Sequence, residues 1–247
     1  MYTDFASVYD TLMRDVPYEK WAAHYLRLLS RYGASGKKCA ECACGTGLLT
    51  VPLAKAGMRM TGVDMSGEML EKAMRRARDA GVSIPFVRQD MRQLSLPSRA
   101  DAVLCTCDGV NYLTNQESAG AFFRAAFRAL RPGGVLIFDV STPYKLKNTL
   151  GSKTLTYADD DSAYIWNNAY SEKTGLIRMA LTIFIKTPSG EFRRVEETQV
   201  QRAHSRAELK AWLEAAGFER VRFFGGLRLN SPRETDARWH VAAIKNQ

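Results

Sequence analysis

Hydrophobic and polar positions follow two different patterns along this chain. Up to about residue 141, short apolar runs of strand length alternate with segments in which apolar residues recur every three or four positions. From Thr154 to about Ala203, runs rich in Tyr, Ile, Thr, Val and Phe are separated by turn sequences such as "SEKTG" and "PSG". Helical spacing returns at Ser205 and is followed by two further apolar runs. The first pattern predicts strands that alternate with helices, and the second predicts antiparallel strands.

Strands that alternate with helices need crossover connections, so this pattern predicts a parallel sheet with right-handed crossovers. Five such strands are predicted before residue 141, and the two runs near the C-terminus are expected to complete the sheet. The last run, "RWHVAAI", is expected to be antiparallel and to lie at or near an edge. The predicted fold class is therefore α/β, with antiparallel strands inserted between the two halves of a mostly parallel sheet.

Capping signals mark three helix starts. Pro17 precedes an amphipathic helix, and Ser66 is predicted to cap a helix whose apolar face includes Met74. Ser205 and Glu208 have the spacing of a capping box, in which each side chain accepts a hydrogen bond from the backbone of the other residue.

The composition is that of a globular protein, because 46% of the 247 residues are hydrophobic and 25% are charged. Apolar runs such as "GVLIFDV" are too short to span a bilayer, so no membrane association is expected. Five clustered cysteines favour reduced thiols, and we expect a cytoplasmic protein. The net charge of +9 favours an anionic small molecule or nucleic acid as partner, but arginines scattered over solvated helix faces are the simpler explanation.

The segment "ECACGTG" at residues 41–47 follows the first predicted strand and contains two glycines. Gly45 and Gly47 allow the backbone to approach a ligand closely at the carboxyl end of that strand. Thr50 stands where a dinucleotide-binding fingerprint has a third small residue, and no Gly-Lys-Ser/Thr follows as in a phosphate-binding loop. The loop is therefore predicted to bind a ligand that needs neither signature.

Acidic residues end the next two predicted strands. Asp64 can accept hydrogen bonds from both hydroxyls of a ribose, and Asp90 can accept one from the amino group of an adenine. Each is followed by a methionine, Met65 and Met91, whose polarizable side chain can contact an adenine ring; packing in the core is the alternative. This order of residues predicts a site for adenosine without a pyrophosphate.

With these features the sequence resembles the class I S-adenosylmethionine-dependent methyltransferases. Five motifs of that family occur in order over residues 38–140, namely "ECACGTG", "GVDMSGEML", "VRQDMRQL", "DAVLCTCDGVNYL" and "LRPGGVLIFDV". The resemblance implies a Rossmann-like sheet of seven mostly parallel strands and S-adenosylmethionine as the cofactor. It also implies ribose binding by Asp64 and adenine binding by Asp90 with Met91. The remaining cofactor contacts implied are Ala43, Gly45, Gly47, Met65, Cys107 and Asp108. At position 43 the family often has glycine.

The N-terminal segment "FASVYDTLMRDVPYEKW" resembles a subgroup of small bacterial methyltransferases that includes nucleotide-linked aminosugar N-methyltransferases. The resemblance implies that Tyr9 and Trp21 belong to an N-terminal helix that closes over the cofactor, with core packing as their alternative role. The expected domains are an N-terminal helical lid (1–37), a methyltransferase domain (38–141 and 205–247) and an antiparallel insertion that covers the acceptor (142–204).

Methyl transfer from a sulfonium needs an aligned lone pair and the exclusion of water, and a hydroxyl acceptor also benefits from a general base. The candidates for orienting or deprotonating the acceptor are Tyr112, Tyr144, Trp166 and His204, each with a structural role as the alternative. We expect a small-molecule acceptor, most simply methylated at nitrogen. An anionic acceptor and a homodimer are left open.

Three alternatives remain at this stage. Cys42, Cys44, Cys105 and Cys107 lie at the ends of neighbouring strands, but C-x-C spacing differs from the usual metal knuckle, so we expect packing and no metal. The net charge permits an RNA substrate; this is disfavoured because "CDGVNY" replaces the Asn/Asp-Pro-Pro-aromatic motif and no RNA-binding module is recognised. Finally, Ala43 and the cysteine-rich loop permit a cofactor-binding protein without catalysis.

Overall fold

The computed structural model of the chain describes residues 9–10, 13, 16–34 and 37–246. In chain order its helices and strands are α1 (Tyr18–Arg31), β1 (Lys38–Cys42), α2 (Thr50–Lys55), β2 (Arg59–Asp64), α3 (Gly67–Asp79), β3 (Phe86–Arg88), β4 (Ala100–Cys105), α4 (Gln116–Ala129), β5 (Leu130–Ser141), β6 (Thr154–Ala158), β7 (Ser162–Ser171), β8 (Leu176–Lys186), β9 (Phe192–Arg202), α5 (Arg206–Ala215), β10 (Phe218–Gly225) and β11 (Arg238–Lys245). Short helical turns cover Met91–Gln93, Gly109–Tyr112 and Lys145–Leu150.

The main sheet has seven strands in the order β10-β11-β5-β4-β1-β2-β3. Neighbours from β5 to β3 pair in parallel, whereas β11 is antiparallel to both β5 and β10. The predicted α/β fold class is therefore confirmed, and β11 lies one strand from the edge as expected. The carboxyl ends of β1, β2 and β4 meet at one side of this sheet, where open parallel sheets bind ligands.

Helices cover both faces of the main sheet. On one face α1 packs the fully buried side chains of Tyr25, Leu28 and Leu29 against alternate residues of β4 and β5. On the opposite face α4 and α5 pack against the intervening residues, with Phe122 and Phe123 as the largest buried side chains of α4. Burial on both faces explains why β4 and β5 have near-continuous apolar sequences. None of the helices in the described part of the chain has the length and apolar character needed to cross a bilayer.

The predicted helix caps are confirmed, with one difference in the face of α3. Ser66 Oγ accepts a hydrogen bond from the backbone N–H of Met69, and Ser205 forms the capping box with Glu208. Met74 is 46% exposed, contrary to its predicted place on the apolar face. Successive helical residues point about 100° apart, so Met74 turns away from the core side that Ala73 occupies. The buried residues of α3 are Met69, Leu70, Ala73 and Ala77.

The second sheet is antiparallel, in the order β6-β7-β8-β9, which confirms the antiparallel strands predicted after β5. Its apolar face is built on alternate residues of β8, namely Ile177, Met179, Leu181 and Ile183. Leu146 and Leu150 of the third helical turn pack against this face. The amide nitrogen of Asn111 donates to the carbonyl oxygens of Ser141 (3.0 Å) and Arg202 (2.9 Å). One buried side chain therefore ties the turn after β4 to the ends of β5 and β9.

Candidate active site

Two adjoining cavities open near the carboxyl ends of β1, β2 and β4. The glycine-loop cavity, of about 200 Å³, is lined by residues that include Ala43, Gly45, Asp64, Met65, Gln89 and Met91. The inter-sheet cavity, of about 320 Å³, lies between the main and second sheets and is lined by residues that include Trp21, Asp108, Lys145, Trp166, Gln201 and Arg238. Four residues line both cavities, namely Tyr9, Cys107, Tyr112 and Gln199. A more open groove of about 570 Å³ lies at the amino ends of the same strands and contains none of the predicted site residues.

The glycine loop is left-handed at three alternate positions, because Ala43, Gly45 and Gly47 have φ angles of 53°, 54° and 76°. Gly47 also permits α3 to pack closely, since a Cβ there would lie 3.2 Å from the Cβ of Ala73. Ala43 adopts this conformation with a side chain, which costs about 1–2 kcal/mol. Its methyl group faces Gly109, where a Cβ would lie 3.3 Å away. Gly45 and Ala43 line the glycine-loop cavity, whereas Gly47 does not line it and packs against α3.

Asp64 occupies the end of β2 at the floor of the glycine-loop cavity. One carboxylate oxygen accepts the backbone N–H of Gly45 (2.8 Å) and the other accepts that of Ser66 (2.9 Å). Burial raises the pKa of this carboxyl above its usual value, and the backbone hydrogen bonds oppose the shift. A carboxylate offers about four lone-pair positions. Asp64 therefore retains acceptor capacity for the two hydroxyls of a ribose.

Of the two residues after β3 that are predicted to contact adenine, Met91 lines the glycine-loop cavity and Asp90 does not. Asp90 does not line the glycine-loop cavity; its carboxylate pairs with the guanidinium of Arg92, which holds the pKa of Asp90 below its usual range. Met91 does line the cavity, with its sulfur 3.9 Å from the Sγ of Cys105. Gln89, which the sequence pattern did not suggest, also lines the cavity. The adenine contact of Asp90 stays a prediction.

Glu41 is fully buried beneath the glycine loop. Its two carboxylate oxygens accept hydrogen bonds from the hydroxyls of Thr50 (2.5 Å) and Thr106 (2.6 Å). Burial raises the pKa of Glu41 to about 7, although both hydroxyl hydrogen bonds lower it. Glu41, the acidic residue of the first motif, therefore links Thr50 at the start of α2 to Thr106 after β4. These two hydrogen bonds hold the base of the glycine loop.

Asp139, near the carboxyl end of β5, is the centre of a hydrogen-bond cluster. Its buried carboxylate accepts from the Tyr25 hydroxyl (2.6 Å) and from the backbone N–H groups of Cys107 (2.7 Å) and Asp108 (3.1 Å), and it pairs with Arg238. Cys107 and Asp108 are both left-handed, with φ of 53° and 55°. Non-glycine residues in this conformation persist only where surrounding contacts hold them, and they concentrate at functional sites. Asp139 supplies such contacts at the junction of the two cavities.

Arg238, at the start of β11, carries charge into the wall of the inter-sheet cavity. Its guanidinium pairs with Asp108 as well as Asp139 and lies 4.7 Å from the ring centroid of Trp21. Although burial opposes it, Arg238 holds the pKa of Asp108 below its usual range, and Gln201 donates to the same carboxylate at 3.2 Å. Asp108 is therefore an anion within the cavity wall, and it shares the one positive charge of Arg238 with Asp139.

Two of the four acceptor candidates lie at the cavities. Tyr112 lines both cavities and donates its hydroxyl to the Oε1 of Gln199 (2.7 Å). Trp166 lines the inter-sheet cavity, and its buried indole N–H has no hydrogen-bond partner among the described residues. Trp21 also lines this cavity and not the glycine-loop cavity, while Tyr9 lines both. Tyr9 and Tyr112 therefore lie where the two cavities meet, and Trp166 lies in the wall of the inter-sheet cavity.

The other two candidates lie outside both cavities. Tyr144 is 39% exposed and precedes the third helical turn. His204 is fully buried; its Nε2 lies 3.2 Å from the carbonyl oxygen of Val110, and its Nδ1 lies 3.0 Å from Arg202. Burial, followed by the charge of Arg202, lowers the pKa of His204 to about 4. The structure brings neither residue to either cavity, and His204 has the contacts of a neutral structural histidine.

The cysteines at the ends of β1 and β4 are free thiols inside the protein. Cys42 and Cys105 are register partners on the two strands, and burial raises the pKa of both, so they are neutral. Cys107 is partly exposed at the cavity junction, and burial raises its pKa as well. Within the described ranges, no three His, Cys, Asp or Glu side chains are grouped so that they could hold a metal ion.

Comparison with known proteins identifies relatives over the whole chain. A family profile described as a methyltransferase domain matches residues 40–134. A methyltransferase-family protein of Geobacillus sp. strain WCH70 is 33% identical over 99% of each chain. A solved S-adenosylmethionine-dependent methyltransferase of Clostridium acetobutylicum is 27% identical, covers 100% of this chain and 99% of its own, and superposes with a TM-score of 0.90. The sugar N-methyltransferase KedS8 of Streptoalloteichus sp. shares the fold at 20% identity over 97% of this chain and 93% of its own, with a TM-score of 0.79.

Proposed function

Because the chain belongs to the class I S-adenosylmethionine-dependent methyltransferases, we propose that it methylates a nitrogen of a small molecule bound in the inter-sheet cavity. One observation carries the proposal: the glycine-loop cavity and the inter-sheet cavity meet at Tyr9, Cys107, Tyr112 and Gln199. A methyl donor in one cavity and an acceptor in the other would meet at this junction.

The residues of the glycine-loop cavity fit S-adenosylmethionine. Asp64 retains acceptor capacity for ribose hydroxyls, and Gly109 lines the same cavity at a position where a Cβ would clash with the Sγ of Cys105, 2.6 Å away. When bound, the cofactor supplies an electrophilic methyl group on a sulfonium whose thioether leaves without activation. In the proposal Asp64 holds the ribose, Met65 and Met91 contact the adenine, and Tyr9 closes the cavity.

The chain's own task is then to align the acceptor and to exclude water. Tyr112 orients the acceptor at the junction, and Trp166 offers an unused N–H donor in the wall of the inter-sheet cavity. Asp108 presents a carboxylate to which an amine N–H can donate, which leaves the nitrogen lone pair free to face the methyl group. Nitrogen as the methylated atom draws further support from the named activity of KedS8.

The test combines cofactor titration with acceptor screening. We expect titration calorimetry to show micromolar binding of S-adenosylmethionine and no binding of NAD, and mass spectrometry to show one added methyl group on an amine-bearing sugar or nucleotide. Asp64→Ala serves as the cofactor-binding control. Methyl transfer to a hydroxyl would overturn the choice of nitrogen, and cofactor binding without transfer to any acceptor would favour the non-catalytic alternative.

The RNA alternative has its own measurement. Binding to RNA through phosphate contacts falls steeply with salt, so affinity for a generic RNA is measured from low to physiological ionic strength. We expect no binding at physiological salt, and retained binding would move the acceptor from small molecules to RNA. A homodimer stays the open alternative that the sequence left.

A further inference from the structure

We propose that Lys145 binds an anionic group of the methyl acceptor, a carboxylate or a phosphate, within the inter-sheet cavity. This inference rests on the proposed function, since it concerns the substrate of the same site. It narrows the acceptor to a small amine that also carries a negative charge.

Lys145 is held in place by the chain around it. It begins the helical turn Lys145–Leu150 that follows β5, and its backbone N–H donates to the Oγ1 of Thr142 at 3.1 Å. The next residue, Leu146, is fully buried against the second sheet. The ammonium of Lys145 donates to the hydroxyl of Ser141 at 3.1 Å, and both side chains line the inter-sheet cavity. The position of this cation is therefore fixed before any acceptor binds.

The two cations of the cavity differ in their partners. Arg238 pairs with Asp108 and Asp139 and lies against the ring of Trp21. Lys145 is half-buried, yet in the described part of the chain its ammonium forms no ion pair, and the Ser141 hydroxyl is the one hydrogen-bond partner of that ammonium. An ammonium has three N–H donors, and a charge withdrawn from water is costly without a partner. Lys145 therefore has capacity for an oxygen anion that Arg238 lacks.

The carboxylates near Lys145 have other partners. Burial lowers the pKa of Lys145, while Asp108 and Asp139 raise it and Arg238 lowers it further. Both carboxylates accept hydrogen bonds from other groups and pair with Arg238. An acceptor anion beside Lys145 would supply the contact ion pair that the ammonium lacks and would favour its protonated form.

The walls of the cavity define the rest of the acceptor. Trp21, Leu150, Trp166, Met179 and Leu181 give the cavity apolar and aromatic sides, while Asp108 and Tyr112 lie toward the glycine-loop cavity. In the proposal the amine is at the junction and the anionic group is beside Lys145. The acceptor class is therefore a small amine that carries a carboxylate or phosphate.

The first experiment follows the reactivity of Lys145 in the full-length protein saturated with S-adenosylhomocysteine. Acetylation by a neutral succinimidyl ester is measured at Lys145 by mass spectrometry, with Lys147 as internal control because it is exposed and pairs with Glu172 at the surface. Inorganic phosphate and acetate are added at up to about 100 mM, where a site with a millimolar Kd is saturated. We expect at least threefold slower acetylation of Lys145 alone. Protection by phosphate identifies a phosphorylated acceptor, and protection by acetate identifies a carboxylate. Equal rates with and without both anions would overturn the proposal.

Substitution separates anion binding from proton transfer and from the proposed function. Once an acceptor is found, we expect Lys145→Met to raise its KM at least tenfold, Lys145→Arg to restore much of the loss, and Lys147→Met to leave KM unchanged. Arginine stays protonated, so loss of kcat in Lys145→Arg with unchanged KM would assign Lys145 to proton removal and overturn anion binding. If the acceptor is an uncharged amine and Lys145→Met does not affect its methylation, the Lys145 inference is overturned and the proposed function stands. Anion protection without any methyl transfer would leave the Lys145 site standing and overturn the proposed function.

Discussion

Replacing Asp139 with asparagine tests whether one buried carboxylate holds the junction of the two cavities. The carboxylate accepts from four donors, two on each oxygen: the Tyr25 hydroxyl and Cys107 N–H on one, Asp108 N–H and Arg238 on the other. In Asp139→Asn one oxygen becomes an NH₂ group, so two donors lose their acceptor. A buried donor without an acceptor costs about 1–3 kcal/mol. We expect the free energy of unfolding to fall by about 3 kcal/mol.

Two assays measure this effect. Urea unfolding gives the free energy directly, and for a chain of this size about 3 kcal/mol corresponds to a Tm lower by about 6–12 °C. Loss of these hydrogen bonds should also release Cys107 and Asp108 from their left-handed conformation and move the wall of the inter-sheet cavity that they form. Because misplaced groups slow catalysis, kcat should fall by on the order of tenfold or more. Tyr25→Phe, which removes a single donor, should cost about 1 kcal/mol.

Asp161→Asn is the matched control. Asp161 lies 3.9 Å from Lys186 in a surface ion pair, and its side chain is 82% exposed. Exposed pairs contribute little, so this variant should change the free energy of unfolding by less than about 0.5 kcal/mol. A loss below about 1 kcal/mol in Asp139→Asn would show that the cluster around Asp139 does not hold the strained turn.

Three further predictions concern the cofactor loop and the buried histidines. Asp64→Ala should weaken S-adenosylmethionine binding by about 1.5–3 kcal/mol in titration calorimetry, and unchanged affinity would remove Asp64 from the ribose. Gly109→Ala places a Cβ 2.6 Å from the Sγ of Cys105, so chemical unfolding should show a loss of about 1–3 kcal/mol; wild-type stability would mean that the turn shifts freely. Burial lowers the pKa of His204 and of His240 to about 4, below the ordinary 6.5. The unfolded chain therefore takes up these protons first, and the free energy of unfolding should fall as the pH drops from about 6.5 to about 4. His204→Gln should flatten that slope in urea titrations at several pH values, and an unchanged slope would contradict a neutral buried ring.

Local signals were sufficient to predict the elements and the cofactor loop. The helix caps at Ser66 and Ser205 depend on contacts within four residues, and both are present. Asp64 ends a strand and comes shortly before a helix cap, so its position at the carboxyl end of the sheet could also be predicted. The α/β fold follows because strand and helix periods alternate over the first 141 residues.

The charged cluster of Asp108, Asp139 and Arg238 could not be predicted, because it depends on strands far apart in the chain. Arg238 pairs with Asp139 across 99 positions, through the antiparallel register of β11 on β5. A single aspartate within "GVLIFDV" was the available signal, since a carboxylate inside an otherwise apolar strand requires buried donors. Tyr144 and His204 illustrate the opposite limit: residue type made them candidates, while the path of the chain placed them outside both cavities.

The division of the inter-sheet cavity between two sheets has a consequence for how such a protein diversifies. The charged cluster belongs to β5, β11 and the turn after β4, whereas much of the apolar wall comes from alternate residues of β7 and β8. Substitutions on that one face of the second sheet can reshape the apolar wall of the cavity without disturbing Asp139 or Arg238. Asn111 meanwhile keeps the second sheet attached to the turn after β4. The shape of the cavity and its charged cluster can therefore evolve at separate positions of the same chain.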